Sequence, residues 1–198
     1  MSHLTPLKRE DLPQLESTFK KTEQFLGFLP NDVLTMARMP EATEAFMEFC
    51  ISIYTNSTLP APLLHLVGLV SSAAAGCRYC TAHTANKAAE DGVAEEKVAA
   101  VWEYETSPLF SGAERVALKF ANDSSQVPTK VTSEHFDALR EHYSEDEITQ
   151  LLMVICQFGF WNRWNDTVAT RLEYTPSKIA AKVLDKKNWE LGKHADKP

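Results

Sequence analysis

The chain has 198 residues, 44% of them hydrophobic, with a formal net charge of -7 at pH 7 and an isoelectric point near 5.4. This length and apolar content suit one domain with a substantial core. The acidic chain has no Lys/Arg cluster alternating with aromatic residues, so nucleic acid is excluded as a partner. The longest apolar stretch, residues 63–76, is too short to cross a bilayer, and no membrane partner is expected. Residues 1–6 lack the basic and apolar segments of an export signal, which predicts a cytoplasmic protein.

Helical signals follow one another along the chain. The predicted helices run from Pro40 toward Tyr54, over 63–76, from the cysteines at 77 and 80 to Asp91-Gly92, and over 94–104, with others starting at Ser111, Ser144 and Thr175-Pro176. Ser111 and Ser144 each precede a Glu by three residues, the capping-box pattern. No alternating run of β-branched residues appears, so the sequence predicts an all-α domain of about eight helices. We assign residues 1–184 to this domain. Residues 185–198 are charged and form a tail that is mobile or orders against a partner subunit.

The segment Cys77-Arg78-Tyr79-Cys80-Thr81-Ala82-His83 carries the clearest chemical signal. A C-x-x-C pair can close into a disulfide within one turn of backbone, and a thiol at a helix start is more acidic than a free one. On a helix, Cys80 lies one turn after Cys77, and His83 lies one turn after Cys80. The spacing predicts a relay in which His83 is the general base, Cys80 the nucleophile and Cys77 the partner thiol.

For a peroxide, the thiolate of Cys80 attacks oxygen and becomes a sulfenic acid. Cys77 then condenses with it to a disulfide, and an external dithiol restores both thiols. Helix-terminus arguments make Cys77 the more exposed of the two, and exchange with the reductant is assigned to it. One alternative is a dithiol–disulfide exchange protein that acts on partner proteins. Another is a helical module in which Cys77, Cys80 and His83 hold zinc, or in which the pair is purely structural.

Two further groups of residues stand out. Cys50 and Cys156 lie in apolar runs and are expected to be small buried hydrophobes. A cluster over residues 161–166 interleaves aromatic and amide side chains in a predicted helix. It either walls a pocket, buries a subunit interface or packs in the core, and Asp166 is a candidate to orient a histidine.

Residues 63–87 resemble the alkylhydroperoxidase D-like (AhpD-like) branch of the carboxymuconolactone decarboxylase superfamily, whose helical domains carry a small-residue turn, a C-x-x-C and a nearby His. Residues 101–110 and 158–167 are similar to segments of its uncharacterised peroxidase-related members. The resemblance spans roughly residues 20–175. It implies an all-α fold, a homo-oligomer such as a dimer or a trimer of dimers, and thiol peroxidase activity with Cys80 peroxidatic and Cys77 resolving.

The chain departs from the better-understood pattern at three positions. The His expected four residues after the second Cys is Thr84, with His83 one residue earlier, and Tyr79 stands where the pattern can have a His between the cysteines. The relay Glu expected twelve residues before the first Cys falls on His65. His65 is therefore a possible proton relay, or a core histidine with a satisfied hydrogen bond.

The predicted function is a thiol-dependent antioxidant enzyme of peroxiredoxin type, with hydroperoxide as substrate and a protein or small-molecule dithiol as reductant. Neither a G-x-G-x-x-G nor a P-loop occurs, so no flavin, nicotinamide or metal cofactor is implied. Decarboxylation of a lactone, the reaction of the superfamily's name, is disfavoured because that branch does not rely on a C-x-x-C.

Overall fold

The computed structural model describes residues 2–184 and 189–195, and within them the chain is all-α. Its ten α-helices are α1 (Glu16–Leu26), α2 (Asn31–Met36), α3 (Pro40–Thr55), α4 (Ala61–Ala74), α5 (Arg78–Glu90), α6 (Glu95–Ala99), α7 (Gly112–Ser124), α8 (Ser133–Arg140), α9 (Glu145–Val168) and α10 (Tyr174–Val183). The predicted fold class is confirmed, although the described residues hold ten helices rather than about eight. The six-residue helix α2, for example, completes fewer than two turns, which is too short to show a periodic apolar pattern in the sequence.

Helix α4 is the centre of the domain and packs against α5, α7 and α9. Its sequence is apolar on every side, which is typical of a helix enclosed by others rather than of an amphipathic surface helix. Gly68 lies where α4 meets α9, and the ring of Phe158 occupies the space that a side chain would fill. The predicted buried helix over this stretch is therefore confirmed. None of the helices in the described part of the chain is long and apolar enough to cross a membrane.

Both predicted capping boxes are present. The hydroxyl of Ser111 accepts a hydrogen bond from the backbone of Glu114, whose carboxylate accepts from the backbone of Ser111, and Ser144 and Glu147 do the same at α9. Each box satisfies backbone N–H groups that a helix start leaves free, which stabilises the helix by ~1 kcal/mol. The second box fixes the start of the 24-residue helix α9, which carries three groups of the site described below.

The described part of the C-terminal segment, residues 189–195, lies against the same chain. The indole Nε1 of Trp189 donates to the carbonyl oxygen of Arg78 at 2.9 Å. The Nδ1 atom of His194 donates to the carbonyl of Thr170 at 2.7 Å, and the amide of Leu172 donates back to His194 at 3.0 Å. These bonds hold residues 189–195 over the start of α5. Residues 185–188 and 196–198 of the predicted tail lie outside the described residues.

Candidate active site

The turn between α4 and α5 places the first cysteine. Gly76 has a φ of +74°, in the left-handed region that favours glycine. Its amide donates to the carbonyl of Ala73, and the amide of Cys77 donates to that of Ser72, each at 3.0 Å. These two bonds form a Schellman motif, which ends α4 and reverses the chain within two residues. Cys77 consequently becomes the N-cap residue of α5, and its sulfur accepts a hydrogen bond from the backbone of Cys80 at 3.4 Å.

The two cysteines of the motif have different surroundings. Both are free thiols and both are buried, with exposed fractions of 0% for Cys77 and 2% for Cys80. Cys80 lines a cavity, whereas Cys77 is not among the residues of its wall. The expectation that Cys77 would be the more exposed thiol is wrong, because the N-cap position is enclosed by the folded chain. A substrate in the cavity can therefore meet Cys80 directly, with Cys77 behind it.

The cavity beside Cys80 has a volume of about 80 Å³ and is walled mainly by apolar and aromatic side chains. Helices α1, α3 and α9 supply most of these apolar side chains, including Phe25, Leu26, Met47, Tyr54, Phe158 and Trp161. The polar groups of its lining include Asp32, His65, His83, Lys87 and Asn165. An apolar cavity with a few fixed polar groups is the usual form of a site for a small organic molecule.

The thiol of Cys80 is held by the amide of Asn165, whose Nδ2 lies 3.5 Å from the sulfur. Burial raises the pKa of Cys80 well above its ordinary value, and contact with the Cys77 thiol adds to this rise. The Asn165 hydrogen bond acts in the opposite direction, because it stabilises the thiolate. Attack by Cys80 therefore requires a group that takes up its proton.

His83 is bound to a carboxylate that the sequence did not single out. Its Nε2 lies 2.7 Å from Oε2 of Glu173, and its ring stacks on Tyr79 at 4.4 Å between centroids. Oε1 of Glu173 accepts from the hydroxyl of Tyr79 at 2.8 Å and from the amide of Asn31 at 2.6 Å. Burial by itself lowers the pKa of His83, but the Glu173 carboxylate outweighs it, so the net shift is upward. The prediction that His83 is the general base for Cys80 stays a prediction.

Asp32 is the second carboxylate that sequence reasoning missed. It is 6% exposed and lines the cavity. Its Oδ1 accepts from the backbone of Val33 at 2.7 Å, and its Oδ2 accepts from Nδ2 of Asn165 at 3.0 Å. Burial raises the pKa of Asp32 to about 6, although the nearby His83 opposes the rise. In sequence, Asp32 resembles an ordinary acidic residue in the first turn of a short helix, and no local signal distinguishes it.

His65 lines the same cavity as Cys80. Its Nε2 lies 2.7 Å from Oδ2 of Asp91, and its ring stacks on Tyr54 at 4.9 Å. Burial lowers the pKa of His65 despite the Asp91 carboxylate, which favours a neutral imidazole at neutral pH. The structure thus satisfies the hydrogen bond expected of a core histidine and also brings His65 to the cavity, so its role as a relay stays a prediction.

The remaining sequence candidates divide between the cavity and the surface. Cys50 is buried as expected and lines the cavity, where burial raises the pKa of its thiol to about 12. Cys156 is exposed, so the expectation that it is buried is wrong: it lies on a face of α9 turned away from the core. In the cluster over 161–166, Trp161 and Asn165 line the cavity. Asp166 pairs with Lys193 at 2.7 Å, and no hydrogen bond to a histidine is found for it in the described part of the chain.

The donors proposed for zinc are not arranged around one point. Among residues 2–184 and 189–195, no three His, Cys, Asp or Glu side chains converge in a way that could hold a metal ion. The ring of His83 bonds to Glu173, while the thiol of Cys77 caps α5 by accepting a hydrogen bond from the backbone of Cys80. A rigid helix spreads these three side chains over two turns, which does not suit a tetrahedral site.

Comparison with known proteins identifies the family. Residues 40–123 match the carboxymuconolactone decarboxylase family. An uncharacterized peroxidase-related protein from Ralstonia eutropha JMP134, with an alkylhydroperoxidase AhpD core, shares the fold with a TM-score of 0.75 at 19% identity, covering 99% of this chain and 98% of that one. The chain belongs to the carboxymuconolactone decarboxylase family, as the sequence predicted, and its fold is that of an AhpD core.

Two other relatives have a higher sequence identity with this chain. The debrominase Bmp8 has a TM-score of 0.85 and 39% identity, covering 91% of this chain and 97% of its own. A cysteine-to-alanine variant of Bmp8 has been solved in complex with 2,3,4-tribromopyrrole. The uncharacterized protein YdfG of Bacillus subtilis is 25% identical over 134 residues, 67% of this chain and 90% of YdfG. The family and its solved neighbours include enzymes.

Proposed function

We propose that this protein is a dithiol reductase that transfers two electrons from Cys80 and Cys77 to a small, largely apolar organic substrate. The observation that carries the proposal is the placement of the thiols. Cys80 reaches the wall of an aromatic cavity, and its partner lies one turn back at the N-cap of the same helix. Cys80 is the nucleophile and Cys77 resolves the intermediate, which leaves a Cys77–Cys80 disulfide for an external dithiol to reduce.

The first candidate for the reducible bond is a carbon–halogen bond on a flat ring. Rings such as Phe25, Tyr54, Phe158 and Trp161 give the cavity walls that suit a planar aromatic molecule. The similarity to the debrominase Bmp8 along nearly the whole chain supports this candidate. The reaction consumes two thiols and one organohalide and yields the dehalogenated ring, halide, a proton and a disulfide.

The second candidate is the O–O bond of an organic hydroperoxide, as in an alkylhydroperoxidase-like antioxidant enzyme. The superfamily and the C-x-x-C support it, since thiolate attack followed by disulfide formation serves both bonds. The apolar wall favours an organic hydroperoxide over hydrogen peroxide, which gains little from an apolar site. A homo-oligomer, as members of the superfamily form, is part of the same proposal.

One experiment tests the proposal and separates the candidates. Reduced protein is mixed with cumene hydroperoxide or with a series of bromopyrroles, and thiol loss, released bromide and the organic product are measured. A dehalogenase releases bromide in step with disulfide formation, whereas a peroxidase yields cumyl alcohol. Cys156→Ser is the matched control, because it removes an exposed thiol outside the cavity and should react like the wild type. If no probe oxidises the thiols faster than free cysteine reacts, the proposed function is wrong.

A further inference from the structure

The amide of Asn165 connects the reactive thiol to a buried carboxylate. Its Nδ2 lies 3.0 Å from Oδ2 of Asp32 and 3.5 Å from the sulfur of Cys80. An amide nitrogen carries two hydrogens, so one amide can serve both partners. Both side chains line the same cavity. The carboxyl group and the thiol are therefore close neighbours that face one bound molecule.

The surroundings of Asp32 suit a carboxyl group that gains and loses a proton, rather than one that stays ionised. In the described part of the chain, no ion pair between Asp32 and a Lys or Arg is found. Its hydrogen-bond partners are the backbone amide of Val33 and the side chain of Asn165. Buried carboxyls without a strong cationic partner bind their proton more tightly than exposed ones. The ionisable groups that face it from the surrounding elements are His83, Glu173, Tyr79, Cys80 and Cys50.

Glu173 acts differently from Asp32, although both carboxylates lie at this site. Glu173 accepts three hydrogen bonds, from His83, Tyr79 and the Asn31 amide. Burial raises its pKa, but the charge of His83 and these bonds outweigh burial, so the net shift is downward. The His83–Glu173 pair is thus held as two charges. Carboxyls whose surroundings push their pKa values apart commonly divide the acid and charge-stabilising roles in an enzyme.

Resting on the proposed function, we propose that Asp32 is the proton carrier of the reaction, taking the proton of the Cys80 thiol and giving it to the group that leaves the substrate. The Cys80 thiolate attacks the halogen or the outer hydroperoxide oxygen. A bond forms between the Cys80 sulfur and the attacked halogen or oxygen, and the bond from that atom to the rest of the substrate breaks. The electron pair stays with the departing carbon or alkoxide, which takes the proton from Asp32.

The second half of the cycle uses Cys77. Its sulfur attacks Cys80, the disulfide forms, and the halide or hydroxide is expelled. The proton of Cys77 leaves with it, as hydrogen halide or water. The two thiols have then lost two electrons and two protons: the electrons have reduced the substrate, one proton lies on the reduced carbon or alkoxide, and the other has left with the halide or hydroxide. Asn165 is a positioning residue: its amide holds the Asp32 carboxyl and the Cys80 sulfur next to each other and stabilises the thiolate.

The test compares two rates in the same variants. One is single-turnover thiol oxidation by cumene hydroperoxide or a bromopyrrole, and the other is alkylation of Cys80 by iodoacetamide, followed by mass spectrometry. Asp32→Asn should slow reduction by about 10²–10⁴-fold, the usual contribution of a general acid. In alkylation, iodide leaves without a proton and the Cys80 proton can pass to the buffer, so the reaction does not depend on Asp32. Its rate should be unchanged or faster, because a negative charge that raises the pKa of Cys80 is lost. Asp32→Glu, which keeps an acid, should recover part of the reduction rate.

The pH profile gives a second readout. Reduction requires one proton shared between Asp32 and Cys80, so the wild-type rate should rise through about pH 6 and then level off. In Asp32→Asn the rate should keep rising with pH as the Cys80 thiol ionises. His83→Gln separates the titration of His83 from that of Asp32: the rise should persist but move to higher pH, because the charge of His83 lowers the pKa of Asp32.

The matched control is Asp123→Asn. Asp123 is a nearly buried carboxylate on α7 that pairs with Lys119 and His135 and does not line the cavity, so both rates should stay within about twofold of wild type. The inference is overturned if Asp32→Asn leaves reduction unchanged, or if reduction and alkylation fall together, as a folding defect would cause. If the wild type reduces neither probe, the proposed function fails first.

Discussion

The Nε2 atom of His83 lies 2.7 Å from Oε2 of Glu173 and so ties the cysteine helix to the start of α10, 90 residues further along the chain. The pair is enclosed, with both side chains 15% exposed. Charge-assisted hydrogen bonds of this kind are stronger than neutral ones. The contact therefore fixes one wall of the cavity as well as the protonation of His83.

Replacing this carboxylate should lower both the pKa of His83 and the stability of the fold. Glu173→Gln keeps the shape but loses the charge, and we expect the free energy of unfolding to fall by ~1–3 kcal/mol. NMR titration of His83 should show a pKa below the wild-type value. Glu190→Gln is the control, because Glu190 forms an exposed pair with Arg78 and should change stability by less than ~1 kcal/mol.

The stability difference between wild type and Glu173→Gln should depend on pH. The raised pKa of His83 stabilises the fold fully below the unfolded value of 6.5, and this contribution is lost as pH rises through the folded pKa. The lowered pKa of Glu173 stabilises it above the unfolded value of 4.5, with loss as pH falls through the folded pKa. Urea unfolding should show the largest difference between 4.5 and 6.5. An equal difference at all pH values would contradict the ion pair.

Gly68 should be intolerant of a side chain. A Cβ at this position would overlap the ring of Phe158, which lines the cavity. We expect Gly68→Ala to destabilise the protein by ~1–3 kcal/mol through overpacking and to weaken binding of a bromopyrrole, measured by calorimetry. Gly159→Ala is the matched helical control. Among the described residues nothing lies within 4 Å of its Cβ position, so it should stabilise the helix by ~0.5–1 kcal/mol. Similar unfolding midpoints for the two variants would refute this packing argument.

Replacing Cys80 and Cys77 with Ser should affect the reaction in different ways. Cys80→Ser removes the sulfur that lines the cavity and should abolish thiol oxidation by either class of probe. Cys77→Ser should still allow one attack, and with cumene hydroperoxide it should leave a sulfenic acid on Cys80 that dimedone traps for mass spectrometry. The reverse pattern would transfer the nucleophile's role to Cys77.

The segment over 189–195 should slow reduction of the Cys77–Cys80 disulfide. Cys77 is fully buried, and Trp189 binds the carbonyl of the next residue, Arg78. Trp189→Phe loses this bond, so dithiothreitol should reduce the disulfide several-fold faster in a stopped-flow assay. Trp164→Phe loses a comparable indole bond, to Thr35, and should leave the rate unchanged. Equal rates in wild type and Trp189→Phe would show that this segment does not limit access.

Local sequence patterns predicted most of the helices, but they could not predict contacts between helices that are distant in the chain. The capping boxes at Ser111 and Ser144 and the apolar run of α4 are local signals, and each corresponds to a helix in the structure. The C-x-x-C likewise identified the thiols. Asp32 and Glu173 escaped notice because each is a single acidic residue near a helix start, the commonest place for one. They reach the site only through contacts between distant elements: side-chain hydrogen bonds join α2 to α9, and α10 packs against α5.

The central claim is that Cys80 and Cys77, and no other thiols, pass two electrons to a molecule in the cavity. The most direct measurement is peptide mass spectrometry, under non-reducing conditions, of reduced protein after one equivalent of cumene hydroperoxide or a bromopyrrole. A Cys77–Cys80 disulfide with Cys50 and Cys156 still reduced is the predicted result. Oxidation at Cys50 or Cys156 instead, or four intact thiols after either probe, would contradict the account.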